Sequence, residues 1–587
     1  MDGKTEIAAA HEEKSAAHHH HGTAAEHVKD LNEDLTRMDT HLDDTHVHLG
    51  WRSWLVVFTV CFGIMAQVFV VTAAGSVIAF IVRDLGEPGL AGWIIQGPLL
   101  MQSVLSPIVG RLSDVLDRKY LASIPPLIAF AGAVVSAKAT SMSMLIGGGI
   151  LIGVTLSTIA IIQAIPAEVL PLKYRALANG FAFVGGSVGG LIGSVASGAL
   201  TNINASGWRN IFWMQAAFHL ATSLGIMFFY HPPKRSEYPR LSLKEYIWAI
   251  DPIGSFLFIT SATLMLLALD WAAGTYPWHD LHVAVPLGVG CGLLVAFEWR
   301  GRSDGLVAHV FFRNGPNFAL SVFAFAVEGW IFYSAVNSIT PQVVLNLGWE
   351  TSAWDISVRQ LSYQLVILFA CVPVTWYATR YKDLKWPLLV TFGIFLIVSI
   401  CYATVTPSEN KAQYGFNVLS GIGQSGPLTL LVALTQFTAP HSYLSTATGL
   451  AFSARAIGGA FGSAVMDAIV NSKLAQNLVP QVGGAAIKAG LPASSVPALM
   501  EAFSAGAGFD MVPGINDTIL AAASDQSHNT YAYAYRLGWA SVVPFVVLAL
   551  IAVACLRGVK DLMTEHVEAT VERVPVGKEV HDDTSHA

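Results

Sequence analysis

The chain has 587 residues, of which 53% are hydrophobic and only 12% charged, and its formal net charge at pH 7 is -7. Soluble domains carry about 25% charged residues, so a string of water-facing domains is excluded, and apolar runs of bilayer-spanning length recur from Trp51 to Arg557. The acidic excess lies largely in the two tails and points to no nucleic-acid partner.

Residues 1–50 are polar and acidic and read as a disordered cytoplasmic tail. They lack a basic start, a short apolar core and a small-residue cleavage site. The run His18 to His21 has no Cys or carboxylate at ligand spacing and reads as tail, not as a metal site. Fourteen spans follow: 54–81, 91–110, 120–139, 143–166, 177–200, 208–230, 251–271, 283–299, 316–342, 356–379, 386–406, 414–437, 444–470 and 537–556. The expected fold is therefore an all-α polytopic membrane protein. Cys61, Cys291, Cys371, Cys401 and Cys555 all lie in apolar spans and read as small buried hydrophobes. Between spans 13 and 14 a long outside segment, 471–535, holds the glycosylation sequon Asn516-Asp517-Thr518. Residues 557–587 form a second cytoplasmic tail.

With the N-terminus inside, the inner loops hold seventeen Lys and Arg residues against eight outside, which places both termini in the cytoplasm. The short inner loop between spans 2 and 3, "GRLSDVLDRKY", crowds five charges into a bend between uncharged runs. Asp114 and the cations Arg111, Arg118 and Lys119 sit where two helices end, with Glu168 and Arg175 at the inner end of span 4. They can pair across the bend when an inner gate is shut. Exposed pairs contribute only about 0.2–1 kcal/mol each, so such a network biases a state without locking it. The competing reading is purely topological, but topology does not require Asp114.

Sliding the sequence along itself until Arg111 falls on Arg380 also superposes Asp114 on Asp383, and "GFAFVGGSVGGLIGS" on "GLAFSARAIGGAFGS". The chain thus divides into an N-terminal half (51–230), a linker with two inserted spans (231–314) and a C-terminal half (315–556). Repeated halves with a site at their interface are a transporter architecture. The glycine strings let backbones approach closely.

A charge at the bilayer centre costs about 2.5–3.5 kcal/mol, so each survivor needs a reason. Glu328 lies mid-span in "FAFAVEGWIFY". Burial favours the neutral form of a carboxyl group, the property a proton carrier needs. Arg455 in span 13 must have a partner: Glu328, Asp467 or substrate oxygens. Asp270 and Asp467 lie toward span ends. Neutral polar residues Gln67, Gln96, Gln102, Gln163, Asn337, Gln342, Gln424 and Gln436, interleaved with Trp330 and Tyr333, outline a cavity for an amphipathic solute; an interhelical hydrogen bond is the alternative for each. No GxxxxGK[ST] or HExxH string occurs, and the GxSxG matches at Gly185–Gly189, inside span 5, and Gly301–Gly305, after span 8, lack the strand-to-helix turn a serine hydrolase needs, which disfavours an ATP-driven pump or an enzyme.

Gly110, Arg111, Asp114, Arg118 and Lys119 resemble the loop signature of the major facilitator superfamily, with Asp117 where that family usually has Gly. The fourteen-span layout, "SGWRNIFWMQ" and "ALDWAAGTYPW" are similar to its fourteen-helix drug:proton antiporter branch. "WIIQGPLLMQSVLSPIVGRLSDVLDRKY" and "IPAEVLPLKYRALANGF" resemble most the fungal trichothecene efflux pumps. The likeness covers about residues 51 to 556. It departs at Gly149, where the branch has an Arg, in the span-5 motif, which lacks its Pro, and in span 1, which has no acid. The resemblance implies two six-helix halves plus two inserted helices and no cofactor. It implies a monomer in the plasma membrane, and proton-coupled efflux of toxins or drugs by alternating access. A siderophore or other solute:proton symporter and a non-transporting sensor stay open as alternatives.

Overall fold

The computed structural model describes residues 51–563 except 88–89, 91, 117, 171–173, 205, 232–243, 245–246, 249, 273–275, 302–304, 314, 441–442 and 506–507. Residues 1–50, with the histidine run, and 564–587 lie outside the described residues. All regular elements among the described residues are helical. The N-terminal half consists of α1 (Trp51–Ser76, continued by Ile78–Leu85), α2 (Trp93–Val115), α3 (Arg118–Ala137), α4 (Met142–Leu156 and Ile159–Val169), α5 (Arg175–Thr201) and α6 (Arg209–Phe229). The inserted pair is α7 (Pro252–Ala272) and α8 (Leu281–Arg300). The C-terminal half consists of α9 (Asn317–Gly329, Trp330–Ile339 and Thr340–Asn346), α10 (Ala353–Tyr381), α11 (Lys385–Ala403), α12 (Ala412–Ser425 and Pro427–Thr438), α13 (Leu444–Lys488) and α14 (Asp517–Ala554).

The repeat governs the packing. Within one half α1 packs on α5 and α3 on α6; within the other α9 packs on α13 and α11 on α14. The halves meet where α2 lies against α13 and α5 against α10. The glycines permit this. A side chain at Gly110 would strike the Ser445 carbonyl, and one at Gly449 would strike that of Ser106, so α2 and α13 touch backbone to backbone. Within the halves, Gly189 meets the Met65 backbone and Gly458 meets that of Ala326 in the same way. The fourth helix of each half is interrupted at the same place. Ser157 in α4 and Gly426 in α12, which coincide in the register that matches Arg111 with Arg380, stand at the two interruptions. Pro427 follows one break, and Thr158, whose hydroxyl bonds the Thr155 carbonyl at 2.7 Å, follows the other.

Thirteen helices among the described residues are long and apolar enough to cross a membrane, not fourteen. The exception, α13, has the length, 45 residues, but is rich in Gly, Ser and Thr and carries Arg455 and Asp467. Its stretch from Leu444 to Val470 is largely buried against protein, so lipid does not demand an apolar surface from it. The chain's connectivity carries α13 through the bundle. The end of α14 returns to the starts of α9 and α11: Asn317 and Arg557 exchange side chain–backbone bonds of 3.0 and 2.8 Å, and Lys385 bonds the Leu556 carbonyl at 3.2 Å.

Beyond the bundle, α13 and α14 run on past the expected limits of spans 13 and 14. At 1.5 Å per residue they reach about 68 and 57 Å, against a hydrocarbon core of about 30 Å. Much of 471–535 is therefore helix, with its own small core of Val482, Leu491, Leu499, Val512 and Ile519. The Asn516 side chain caps the start of α14 by accepting the Ile519 N–H at 2.8 Å. The cysteines are all free, but only Cys371 is buried: Cys61 and Cys401 are half-buried, Cys291 is exposed because α8 packs on α7 and leaves its other face to the surroundings, and Cys555 is exposed just past the end of α14.

Candidate functional site

At the centre of the bundle Glu328, fully buried, meets Arg455, which is 4% exposed. The guanidinium donates to the carboxylate through Nε at 2.5 Å and Nη2 at 2.9 Å, a two-point pair. Gln424 donates its side-chain N–H to Glu328 Oε1. Arg455 Nη1 donates to Tyr333 Oη at 2.7 Å, and its guanidinium lies over the rings of Phe332 and Tyr333 at 4.6 and 4.7 Å. Of the partners open to Arg455, the fold selects Glu328. The close approach of α9 to α13 brings the pair together: a side chain at Gly329 would collide with the Arg455 carbonyl. The next segment, Trp330–Ile339, is a π-helix. Such widened turns re-aim side chains and recur at functional sites; here the segment turns Tyr333 toward Arg455.

Beside the pair is a cavity of about 60 Å³ lined by apolar groups and by Gln67, Gln102, Gln163, Tyr333, Tyr363 and Arg455. This is room for on the order of four waters, far below the 300–1,000 Å³ of drug-sized sites, so the cavity is contracted. The repeat explains its asymmetry. Contacts of α1 with α5 and of α9 with α13 put Gln67 at the position equivalent to Glu328, both one residue before a close contact with the repeated glycine helix. Gln67 donates to the Thr155 carbonyl at 2.7 Å. In the register of the repeat Thr155 is the counterpart of Gln424, and Gly186 stands where Arg455 stands. One half thus holds a neutral amide at the place where the other holds an ion pair.

At the end of the bundle that carries the α2–α3 connection, Asp114 reaches across to α13. Its carboxylate accepts the backbone N–H of Ser445 at 3.1 Å and of Thr446 at 2.8 Å, and the Thr446 hydroxyl at 2.7 Å. The start of α13 has no side-chain cap of its own, so Asp114 supplies one from the other half. Arg118 pairs with Asp114 at 2.8 Å. Arg111, buried, lies 4.5 Å from the Tyr443 ring. Arg175 Nη1 donates to the Gln436 carbonyl at 2.9 Å, and Asn179 to its side chain at 2.9 Å. Lys119 is half-buried, and the Glu168 side chain lies outside the described residues. Asp114 and Arg118 are both buried, so the small energy of exposed pairs, expected from the sequence, does not apply; hydrogen bonds to charged groups contribute about 1.5–3 kcal/mol each.

The profile of the Major Facilitator Superfamily matches residues 60–463. The chain belongs to the major facilitator superfamily. It is a multi-pass integral membrane transporter of small molecules, and not an enzyme. An MFS-type transporter of Penicillium rubens is 27% identical over 521 residues, covering 87% of this chain and 92% of the relative. The trichothecene efflux pump of Fusarium sporotrichioides is 22% identical over 522 residues, 86% of each chain. Among solved structures, a bacterial homologue of the human lysosomal transporter Spinster, inward-facing and unoccupied, superposes with a TM-score of 0.52 at 16% identity, covering 86% of this chain and 98% of that one. That likeness shows the shared fold.

Within this facilitator the residues expected in the cavity separate. Gln67, Gln163 and Tyr333 line it. Gln96 does not: it is hydrogen-bonded to Asp270, where the inserted α7 docks against α2. Trp330 faces the other way, against Phe461 and Phe545, because the wide turn that begins there rotates it out. Gln424 stands behind Glu328. Gln436 belongs to the contact with Asn179, and Asn337 bonds its own helix at the Phe332 carbonyl, 2.7 Å away. Tyr363 and Ser187, which the sequence reading missed, also line the cavity. Gln360, Tyr363 and Gln364, spaced to share one face of α10, are the signal that marks Tyr363.

A Gly449→Val variant is expected to lose most transport, since a branched side chain pressed on the Ser106 backbone forces α2 from α13. Gly393→Val, which has open space around it, serves as the control and is expected to transport normally. Equal activity of the two, in vesicles matched for protein, would deny that the close contact matters.

Proposed function

We propose that the protein exports small amphipathic compounds, toxins or drugs, in exchange for protons, by alternating access in the plasma membrane with both termini in the cytoplasm. The observation that carries this reading is the buried Glu328–Arg455 pair at the wall of an apolar cavity between the halves. A proton taken up at a Glu328 oxygen removes the carboxylate charge and weakens the bond to Arg455. A flip of the Gln424 amide, whose Oε1 is buried without a partner, gives the new O–H an acceptor. Arg455 stays charged but keeps the Tyr333 hydroxyl and the aromatic faces around it, so the centre has a defined arrangement in both protonation states. Arg455 lines the cavity while Glu328 lies behind it, which lets solute and proton influence each other through one guanidinium. The contacts of Asp114 and Arg175 across the halves, with Arg118 paired to Asp114, hold the inner side shut. The outward direction follows the efflux pump among the relatives.

The test is flux in liposomes holding the purified protein and a radiolabelled trichothecene. An acid interior is expected to drive uptake of the solute against its gradient. Uptake driven instead by an acid exterior would identify a symporter, and binding without flux a sensor. For topology, tags at the two ends are expected to resist labelling in intact cells; labelling of either from outside contradicts the proposed orientation.

A further inference from the structure

The cavity wall holds three polar atoms that nothing in the structure satisfies: Gln67 Oε1, Ser187 Oγ and Tyr363 Oη. Their residues are 2%, 6% and 1% exposed. A buried polar atom without a partner is costly, and three around one cavity call for an occupant. We propose that the transported solute is an uncharged, largely apolar molecule bearing hydroxyl or carbonyl oxygens, which these three atoms bind as the cavity widens. This rests on the transport reading above and narrows its substrate class.

The chemistry of the wall excludes the alternatives. Arg455 is the sole charged group among the described residues of the lining, and Glu328 already holds it by two bonds. An organic cation finds no free carboxylate there and faces a guanidinium instead. An anion must compete with Glu328 for Arg455. An apolar molecule without oxygens leaves all three atoms unpaired. A hydroxyl donates to Gln67 Oε1; a carbonyl or ether oxygen accepts from Ser187 or Tyr363. The three come from both halves, Gln67 on α1 and Ser187 on α5 in one, Tyr363 on α10 in the other. A solute that bonds all of them ties the halves together, which is what a carried solute must do to favour the closed form over the open ones.

The experiment measures equilibrium binding to the full-length protein in lipid nanodiscs, without a gradient. The probes are progesterone (uncharged, two carbonyls), pregnenolone sulfate (anionic) and tetraphenylphosphonium (cationic, no oxygen). Progesterone is expected to bind at least tenfold tighter than either ion. Ser187→Ala and Tyr363→Phe are each expected to weaken progesterone about five- to tenfold and to leave tetraphenylphosphonium unchanged. Both changes remove an unpaired buried hydroxyl, so neither should lower the melting temperature of the empty protein, which separates lost binding from lost folding. Tighter binding of either ion, no binding of progesterone, or wild-type affinity in both variants overturns the inference. Because no gradient is used, a failure of proton coupling in the liposome assay leaves this result intact, and proton-coupled transport with a preference for the cation would sink this inference alone.

Discussion

Glu328→Gln is expected to abolish accumulation against a gradient while leaving solute binding and exchange partly intact. Glutamine keeps the shape and a carbonyl acceptor for Arg455 but neither a charge nor a transferable proton. A proton moved through a 100 mV potential contributes about 2.3 kcal/mol, roughly a fiftyfold concentration ratio, so the loss is easily read. The same geometry sets an asymmetry in folding. Breaking a buried pair by removing one partner costs about 3–5 kcal/mol, yet the two survivors differ. A lone carboxyl can neutralise itself by holding a proton; a lone guanidinium cannot. Glu328→Leu is therefore expected to reduce the yield of folded protein far more than Arg455→Leu, and adding Arg455→Leu to Glu328→Leu is expected to restore it. Gradient-driven accumulation by Glu328→Gln with an unchanged pH dependence would make the pair structural. Equal yields of the two Leu variants would contradict the account of its burial.

Asp114→Asn is expected to cut transport at least tenfold while surface abundance stays within twofold. The carboxylate accepts two backbone N–H groups and one hydroxyl from α13 and pairs with Arg118. An amide presents one acceptor, and its own N–H groups face donors. The first N–H groups of a helix have no partner within it, so the Ser445 and Thr446 amides owe their protection to Asp114. Deuterium exchange over 444–450 is expected to rise in the variant and to stay low in wild type. Unchanged exchange together with near-normal flux would return the bend to a topological role, as its positive charges alone would suffice to hold it inside.

The membrane class, the two related halves and the inserted pair follow from the sequence alone, because they rest on local properties: apolar run length and the recurrence, in one register, of Gly180 at Gly449 and of Asp114 at Asp383. The oddness of Glu328 and Arg455 was legible for the same reason, since a charge in an apolar run is conspicuous wherever it ends up. Their union was not, because it depends on α9 and α13 meeting at Gly329 and Gly458, far apart in the chain. Polar amides carry no such mark: Gln67, Gln96 and Gln424 look alike in sequence, and only packing sends one to the cavity wall, one to Asp270 and one behind Glu328. Asp114 and Asp383 match in the repeat, yet Asp383 caps its own turn at the Lys385 N–H, 2.9 Å away, while Asp114 crosses to the other half. Helix-forming character and burial demand are written residue by residue; the direction in which a side chain points and the partner it finds are properties of how the helices pack, and tertiary structure alone decides them.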